Sequence, residues 1–486
     1  MNYSIKPNHT VSITPRLCIL AEDQKETIFS SVLKILEQVG VRVDNKEGLE
    51  LLNSADAKVE PEGRTRIPSY LVEDAIRCAP SQITMYNRLG KPVMALGGNN
   101  VYFSSQIDCA EFDDPFERVR RPCVRTDTRM GAILSDALQN ISMVSPSAMY
   151  SDVPAEIAYL VGHKEVLMHT VKPIMHGTMS MEALKAMIEM AAVVAGGEDE
   201  LAKRPYYLHF CEPLSPLIHT DEGVAKLLYC AEHGVPTIYA PACVGGGTMP
   251  VTGAGLLVNC LAETLSGLVM AQLKRRGAPV IIGGVTSVLD MTTTVFSYGA
   301  PEMSLWSAGM TEMAHYLRLP VMSTAGCTDA VMFDEQAAAE SAISCLMAAL
   351  SGGNLVHDVG FAESANHSSL ELIAATDEFI SMIGHIMKGI EVSPETLALD
   401  VINEAGPGGA FIDKKHTFDH FRKNWRPSLM NRISNEGWKA AGSPSLGKRT
   451  NERVCSIIRE HQPEPLPKEV AAELDKMERR WFQKVK

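Results

Sequence analysis

The chain has 486 residues, of which 45% are hydrophobic and 21% charged, and a formal net charge of -13. These proportions suit a folded globular protein, and the length accommodates one large domain with appendages as readily as several small ones. The acidity argues against nucleic acid as a partner, because phosphate recognition needs a basic surface.

The opening "MNYSIKPNHT" has one lysine and no apolar core, so no secretory signal is expected. No membrane span is predicted either. The best apolar stretch, 255–273, is interrupted by Asn259, Glu263 and Gln272. Eleven cysteines are scattered without a C-x-x-C pair, which predicts reduced thiols in the cytoplasm and no metal site. The glycines of "VGGGTMPVTGAG" do not form a nucleotide-binding frame.

In chain order, residues 22–40 place Ile28, Val32, Ile35, Leu36 and Val39 on one helical face, with Gly40 as the stop. "VRVDNKEGLELLNSA" predicts a short strand, an Asp-Asn turn and a second helix. "RIPSYLVEDAIRCAP" predicts a third helix starting at Pro68 and Ser69. Residues 1–98 therefore read as a mainly helical N-terminal region that packs on the main domain.

From about residue 100 the rhythm changes. Eight short apolar runs recur, at 101–103, 141–144, 173–175, 206–210, 236–239, 279–282, 320–322 and 354–356. Helical patterns separate them, as in 256–273, 303–317 and 336–350. Strands apolar on both faces, alternating with helices, imply a parallel sheet covered on both sides. Eight such units predict an α/β protein, a (β/α)8 TIM barrel over 99–370. A helical extension, 371–486, completes the chain. Its residues 413–486 hold 17 Lys+Arg and 10 Asp+Glu, a local +7 that leaves -20 for residues 1–412. That basic segment reads as a solvated helical cap or as a docking surface for an acidic partner.

Barrel enzymes work at the C-terminal ends of their strands. Those positions carry Ser104, Ser105, Gln106 and Asp108 after the first strand, with Tyr102 and Phe103 in it. His176 ends the third strand. His209 and Glu212 end the fourth. Phe296 and Tyr298 come after the sixth, Asp329 after the seventh, and His357 lies at the eighth. Asp334 is expected to cap the helix after the seventh strand.

Several stretches together resemble one family. "GGGTMPVTGAGLLVNCLAETLSGLVMAQL", "STAGCTDAVMFDEQAAAE", "LSGGNLVHDVGF" and "GPGGAFIDKKHTFDHF" with "RPSLMNR" after it are similar to the trimethylamine:corrinoid methyltransferase superfamily, and so is the opening region. The resemblance covers nearly the whole chain. It implies a barrel that moves a methyl group from a methylated amine to the cobalt of a separate corrinoid protein. The methyl acceptor would thus be cobalamin on a partner, with no cofactor held permanently. A homo-oligomer is expected as well.

Trimethylamine-specific relatives carry pyrrolysine in the counterpart of "TDAVMFDEQ", with Val331 taken as its position. This chain has only standard residues there, which favours the non-pyrrolysine branch. Glycine betaine is the expected substrate, with proline betaine and carnitine as alternatives.

Expected catalytic groups are His209, Glu212, Asp329 and His357. Tyr102, Phe103, Gln106, His176, Phe296, Tyr298, Val331 and Phe333 are expected to bind substrate. Aromatic faces suit a quaternary cation. Two other readings stay open: a barrel lyase using His209 and Glu212 as an acid–base pair, and a non-catalytic binding or assembly subunit.

Overall fold

The computed structural model describes residues 14–146 and 149–485, so the reading of the first ten residues lies outside the described residues. Eight parallel strands make one sheet: β1 (Tyr102–Ser105), β2 (Ile141–Met143), β3 (Ile174–Gly177), β4 (Tyr207–Cys211), β5 (Thr237–Tyr239), β6 (Val280–Gly283), β7 (Val321–Thr324) and β8 (Leu355–Val359). Their spatial order is β3-β4-β5-β6-β7-β8-β1-β2. A bridge from Val144 to Ile174 returns β2 to β3 and closes the ring.

Each strand leads into a helix: α1 (Arg125–Ala137), α2 (Ala155–His169), α3 (Met181–Ala195), α4 (Asp221–His233), α5 (Gly253–Lys274), α6 (Pro301–Tyr316), α7 (Glu335–Ser351) and α8 (Leu370–Ile386). This is the (β/α)8 barrel that the alternation predicts, and each of the eight predicted runs overlaps an observed strand. α8 completes the ring, so the barrel runs past the expected boundary at 370.

Side chains alternate across each strand and fill separate cores. Met175, Leu208, Ile238, Ile281 and Met322 pack together in the core that includes the barrel interior. Their neighbours on the same strands join helical cores instead: Ile174 and Tyr207 one, Tyr239, Val280 and Ile282 another. Caps fix the helix starts. Asp334 accepts a hydrogen bond from the Ala337 amide at 3.0 Å, as expected for an N-cap. Among the described residues, the one helix apolar and long enough to cross a bilayer is α5, and it is largely buried against the N-terminal region.

The three expected N-terminal helices are present, at Glu22–Lys34, Lys46–Ser54 and Ser69–Cys78. The short strand expected at the start of "VRVDNKEGLELLNSA" is present as Val41–Val43, but the reading missed its sheet partners Lys58–Val59 and Arg64–Arg66 and the hairpin Ile83–Tyr86/Pro92–Leu96. Strands of two to five residues carry too few alternations to register as a period. The hairpin lies at the N-terminal ends of the barrel strands: the Tyr86 amide donates to the Pro205 carbonyl and the Arg88 amide to that of Val171. It closes the floor. At the other end of the chain, helix Leu446–Glu460 packs on α8 and α1, and helix Lys468–Lys484 on α2 and α3.

Candidate active site

At the open end of the barrel, five rings form a continuous arc. Phe296 meets Tyr298 edge-on with centroids 5.5 Å apart, Tyr298 meets Phe361 at 5.9 Å, Phe361 meets His357 at 6.2 Å, and His357 stacks on Phe210 at 6.0 Å. β4 and β8 stand on opposite sides of the ring of strands. Contact between Phe210 and His357 therefore runs through the lumen. His357 and Phe361 are buried, whereas Phe210, Phe296 and Tyr298 keep part of their surface open to solvent.

A bulge aims His357. β8 pairs with β1 at Val356 and Phe103 and again at Val359 and Ser105, so β8 carries one extra residue there. Asp358 absorbs the distortion at φ 87°, a conformation that a non-glycine residue adopts only when its surroundings enforce it. His357 Nδ1 touches an Asp358 carboxylate oxygen. The Nε2 atom of His357 and Oδ2 of Asp358 are buried without a hydrogen-bond partner among the described residues. Buried polar atoms are ordinarily paired, so these two leave hydrogen-bonding capacity unused beside the vestibule.

Carboxylates surround the arc. Asp108 lies after β1 and Glu212 after β4, within electrostatic reach of one another. Burial holds the Asp108 carboxyl up to about 7; the Tyr159 hydroxyl at 3.5 Å and His357 oppose that rise, and Glu212 reinforces it. Burial raises Glu212 too, and Lys226 opposes it. Water reaches both groups, since Glu212 is exposed and Asp108 half-buried. They are recessed in a concave vestibule, where protein on most sides still disfavours the charged form.

Beside the arc, Asp108, Tyr159, Tyr150, His176 and Met149 line a cavity of about 140 Å³. The loops after the eight strands contain only three Lys or Arg residues, Arg118, Arg120 and Arg121. All three are bound to carboxylates: Arg118 to Glu371, Arg120 to Glu111 and Glu363, and Arg121 to Asp114 and Asp127.

Several expected site residues lie elsewhere. His209 alternates with Phe210 and so faces outward. Its Nδ1 contacts the Tyr207 hydroxyl at 2.9 Å and the His176 carbonyl at 3.1 Å. Burial lowers its pKa to about 3, and Lys226 on α4 adds to that. Neither a hydrogen bond nor an ion pair joins it to Glu212 among the described residues. His176 faces the same way, stacked on His163 of α2 with centroids 5.6 Å apart, although its edge reaches the side cavity.

Tyr102 sits at the floor, where its hydroxyl accepts from the Ala95 amide at 3.1 Å, and Phe103 is packed in the core. Gln106 is fully buried and donates to Ser368. Asp329 is a clamp: it accepts from the Ser297 hydroxyl, the Tyr298 amide at 2.6 Å and the Ser364 hydroxyl at 2.8 Å, holding the loops that carry Tyr298 and Phe361. Val331 is 59% exposed and, with Phe333, lines an outer groove beside Arg118 and Arg120 rather than the lumen.

Phe210, Phe361 and Tyr159 join the site without having been singled out. Phe210 was legible in principle, since His209 and Phe210 must face opposite ways. Tyr159 sits on a helix and has no local signal.

A closed floor and an open aromatic and acidic vestibule with unpartnered polar atoms beside it define a (β/α)8 barrel whose candidate active site is the C-terminal mouth. Comparison with known proteins narrows the class. The family model "Trimethylamine methyltransferase (MTTB)" matches residues 3–483, and the chain belongs to that family. The chain is 32% identical to trimethylamine methyltransferase MttB of Desulfitobacterium hafniense DCB-2, over 93% of this chain and 92% of that one. It is 30% identical to glycine betaine methyltransferase of D. hafniense Y51, over 95% and 96%. Among solved structures, Methanosarcina barkeri monomethylamine methyltransferase (MtmB) superposes with a TM-score of 0.54 at 10% identity, covering 91% of this chain and 89% of that one. That likeness shows the fold. The chain is a methyltransferase of the MTTB family.

Proposed function

We propose that the protein transfers a methyl group from a quaternary amine to Co(I) of a corrinoid protein, with glycine betaine as substrate and dimethylglycine as product. The observation that carries this reading is the aromatic arc from Phe296 to Phe210 with Asp108, Glu212 and Asp358 around it, in a mouth whose arginines are already paired. Ring faces and carboxylates together favour a cation.

The chemistry suits a quaternary nitrogen. Cobalt supplies both electrons of the new C–Co bond, and the C–N pair stays on nitrogen, which leaves as a neutral tertiary amine. No proton needs to be placed on the leaving group. The protein's contribution is to orient the N–CH3 bond toward the mouth and to exclude water around it. The sequence has only standard residues, so nothing at 328–336 offers the electrophilic side chain that the resemblance assigns to trimethylamine-specific relatives. A betaine carboxylate would be met by the Tyr159 hydroxyl, which can donate.

The test is a panel of glycine betaine, proline betaine, carnitine, choline and trimethylamine with reduced cobalamin, read out by the methylcobalamin spectrum. Turnover of glycine betaine is expected. Turnover of trimethylamine alone overturns the reading, and turnover of another quaternary amine keeps the reaction while changing the substrate.

A further inference from the structure

One carboxylate of the helical layer reaches two rings of the arc. Glu340 lies in the second turn of α7. Its Oε2 accepts from the Thr328 hydroxyl and, at 2.9 Å, from the Asp329 amide, and its Oε1 accepts from the Gln336 side chain at 2.8 Å. Thr328 and Asp329 are neighbours in the loop after β7, and each holds one ring. The Thr328 amide donates to the Phe361 carbonyl at 3.0 Å, and the Ser364 amide returns to the Thr328 carbonyl at 3.2 Å. The Asp329 carboxylate takes the Tyr298 amide at 2.6 Å. Tyr298 and Phe361 meet edge-on with centroids 5.9 Å apart. A single oxygen of Glu340 therefore stands behind both partners of that contact.

The loop after β6 is shaped to admit the same carboxylate. Gly299 follows Tyr298, and a Cβ placed there would fall 2.3 Å from Glu340 Oε2 and 2.5 Å from its carboxyl carbon. Gly299 is not among the residues at positive φ. Close approach, not backbone conformation, requires glycine at this position. The loops after β6, β7 and β8 thus converge on one side chain of a barrel helix. Site loops hold their geometry when hydrogen bonds lock them to a rigid element, and α7 is that element here.

We propose that Glu340 is a positioning residue of the cation seat: through Thr328 and Asp329 its carboxylate sets the spacing of Tyr298 and Phe361. This rests on the proposed function only in that a cation seats among the rings, and it holds for any amine that does so. What matters is the acceptor rather than its charge, because a glutamine carbonyl offers Thr328 and Asp329 the same oxygen.

Binding of tetramethylammonium to the full chain, measured by titration calorimetry without a methyl acceptor, tests it. Glu340→Ala is expected to weaken affinity about tenfold, within the loss that an ångström of misplacement causes, with an unchanged far-UV circular dichroism spectrum. Glu340→Gln is expected to stay within about threefold of wild type. Gly299→Ala drives a methyl group into the carboxylate and is expected to match Glu340→Ala. The double variant Gly299→Ala/Glu340→Ala is expected to bind no more weakly than either single variant, since both changes break one linkage. Wild-type affinity in Glu340→Ala overturns the proposal. So does a Glu340→Gln as weak as Glu340→Ala, and so do single losses that multiply in the double variant. Should Glu340→Ala not fold, Thr328→Val takes its place: it removes one donor from the same oxygen, a few-fold loss supports the proposal and wild-type affinity overturns it. A wild type that does not bind tetramethylammonium sinks the cation reading, and hydrogen exchange then decides the positioning of the rings. Faster exchange at 297–300 and 360–364 in the variant supports it, and unchanged exchange there overturns it.

Discussion

Two histidines at the ends of barrel strands, His209 and His357, look alike in the sequence and live in different chemical worlds. His209 points into the helical layer, where Tyr207 and the His176 carbonyl contact its Nδ1 and burial keeps it neutral. His357 points across the lumen at Phe210, beside Asp358, with Nε2 buried and without a partner among the described residues. Nε2 of His209 is likewise buried without a partner among the described residues, so an unpartnered ring nitrogen does not by itself separate the two; the helical layer differs in keeping water out. The vestibule leaves polar atoms open and gathers carboxylates that water can reach. Lying at the end of a barrel strand does not make a residue part of the site. The face of the strand decides.

The largest effect is expected at His357. His357→Ala should lower kcat/KM for methyl transfer about 100-fold, roughly 2.7 kcal/mol in the barrier, while leaving the thermal transition nearly unchanged. Equal activity in steady-state assays of the purified variant would return His357 to packing and erase its difference from His209.

The next effect is on pH. The Asp108 carboxyl is held up to about 7 by burial, so it is neutral below that pH and ionised above it. A ligand that is purely cationic, such as tetramethylammonium, favours the ionised form. Its affinity is expected to fall by up to about tenfold per pH unit below 7, measured by titration calorimetry. Asp108→Asn should flatten that slope. The sign for stability is the opposite. The folded pKa lies above the ordinary carboxyl value, so the unliganded protein should lose stability as pH rises from about 4 to 7, and bound cation should restore it.

His209→Ala probes the helical layer from the other side. It is expected to cost roughly 2–3 kcal/mol in urea unfolding, through a cavity and unpaired neighbours, with kcat/KM within a few-fold of wild type. The smallest effect is expected at Val331. Val331→Ala should leave transfer to free cobalamin within about twofold, because the side chain lies in the outer groove.

Much of the barrel is legible in the sequence. Eight runs apolar on both faces, with helical periods between them, can bury both faces only in a covered parallel sheet, and Asp334 caps α7 as its position ahead of the helix implies. The site is legible in outline: His357, Phe296, Tyr298 and Glu212 lie at the mouth, and Asp108 beside them. Direction and depth are not. Tyr102 falls at the floor because it opens β1, and Val331 on the outer rim because the loop after β7 turns its tip away from the lumen.

The order of elements and the residue types available to the mouth are set by the sequence directly, since both are written in local patterns of apolar and polar residues. Which side chains share the lumen is a matter of tertiary structure. A bulge of one residue in β8, the alternation at His209 and Phe210, and the closure of β2 on β3 bring together groups hundreds of residues apart. Those are properties of strand register and ring closure, which arise from pairing between distant segments and leave no periodic trace in any one of them.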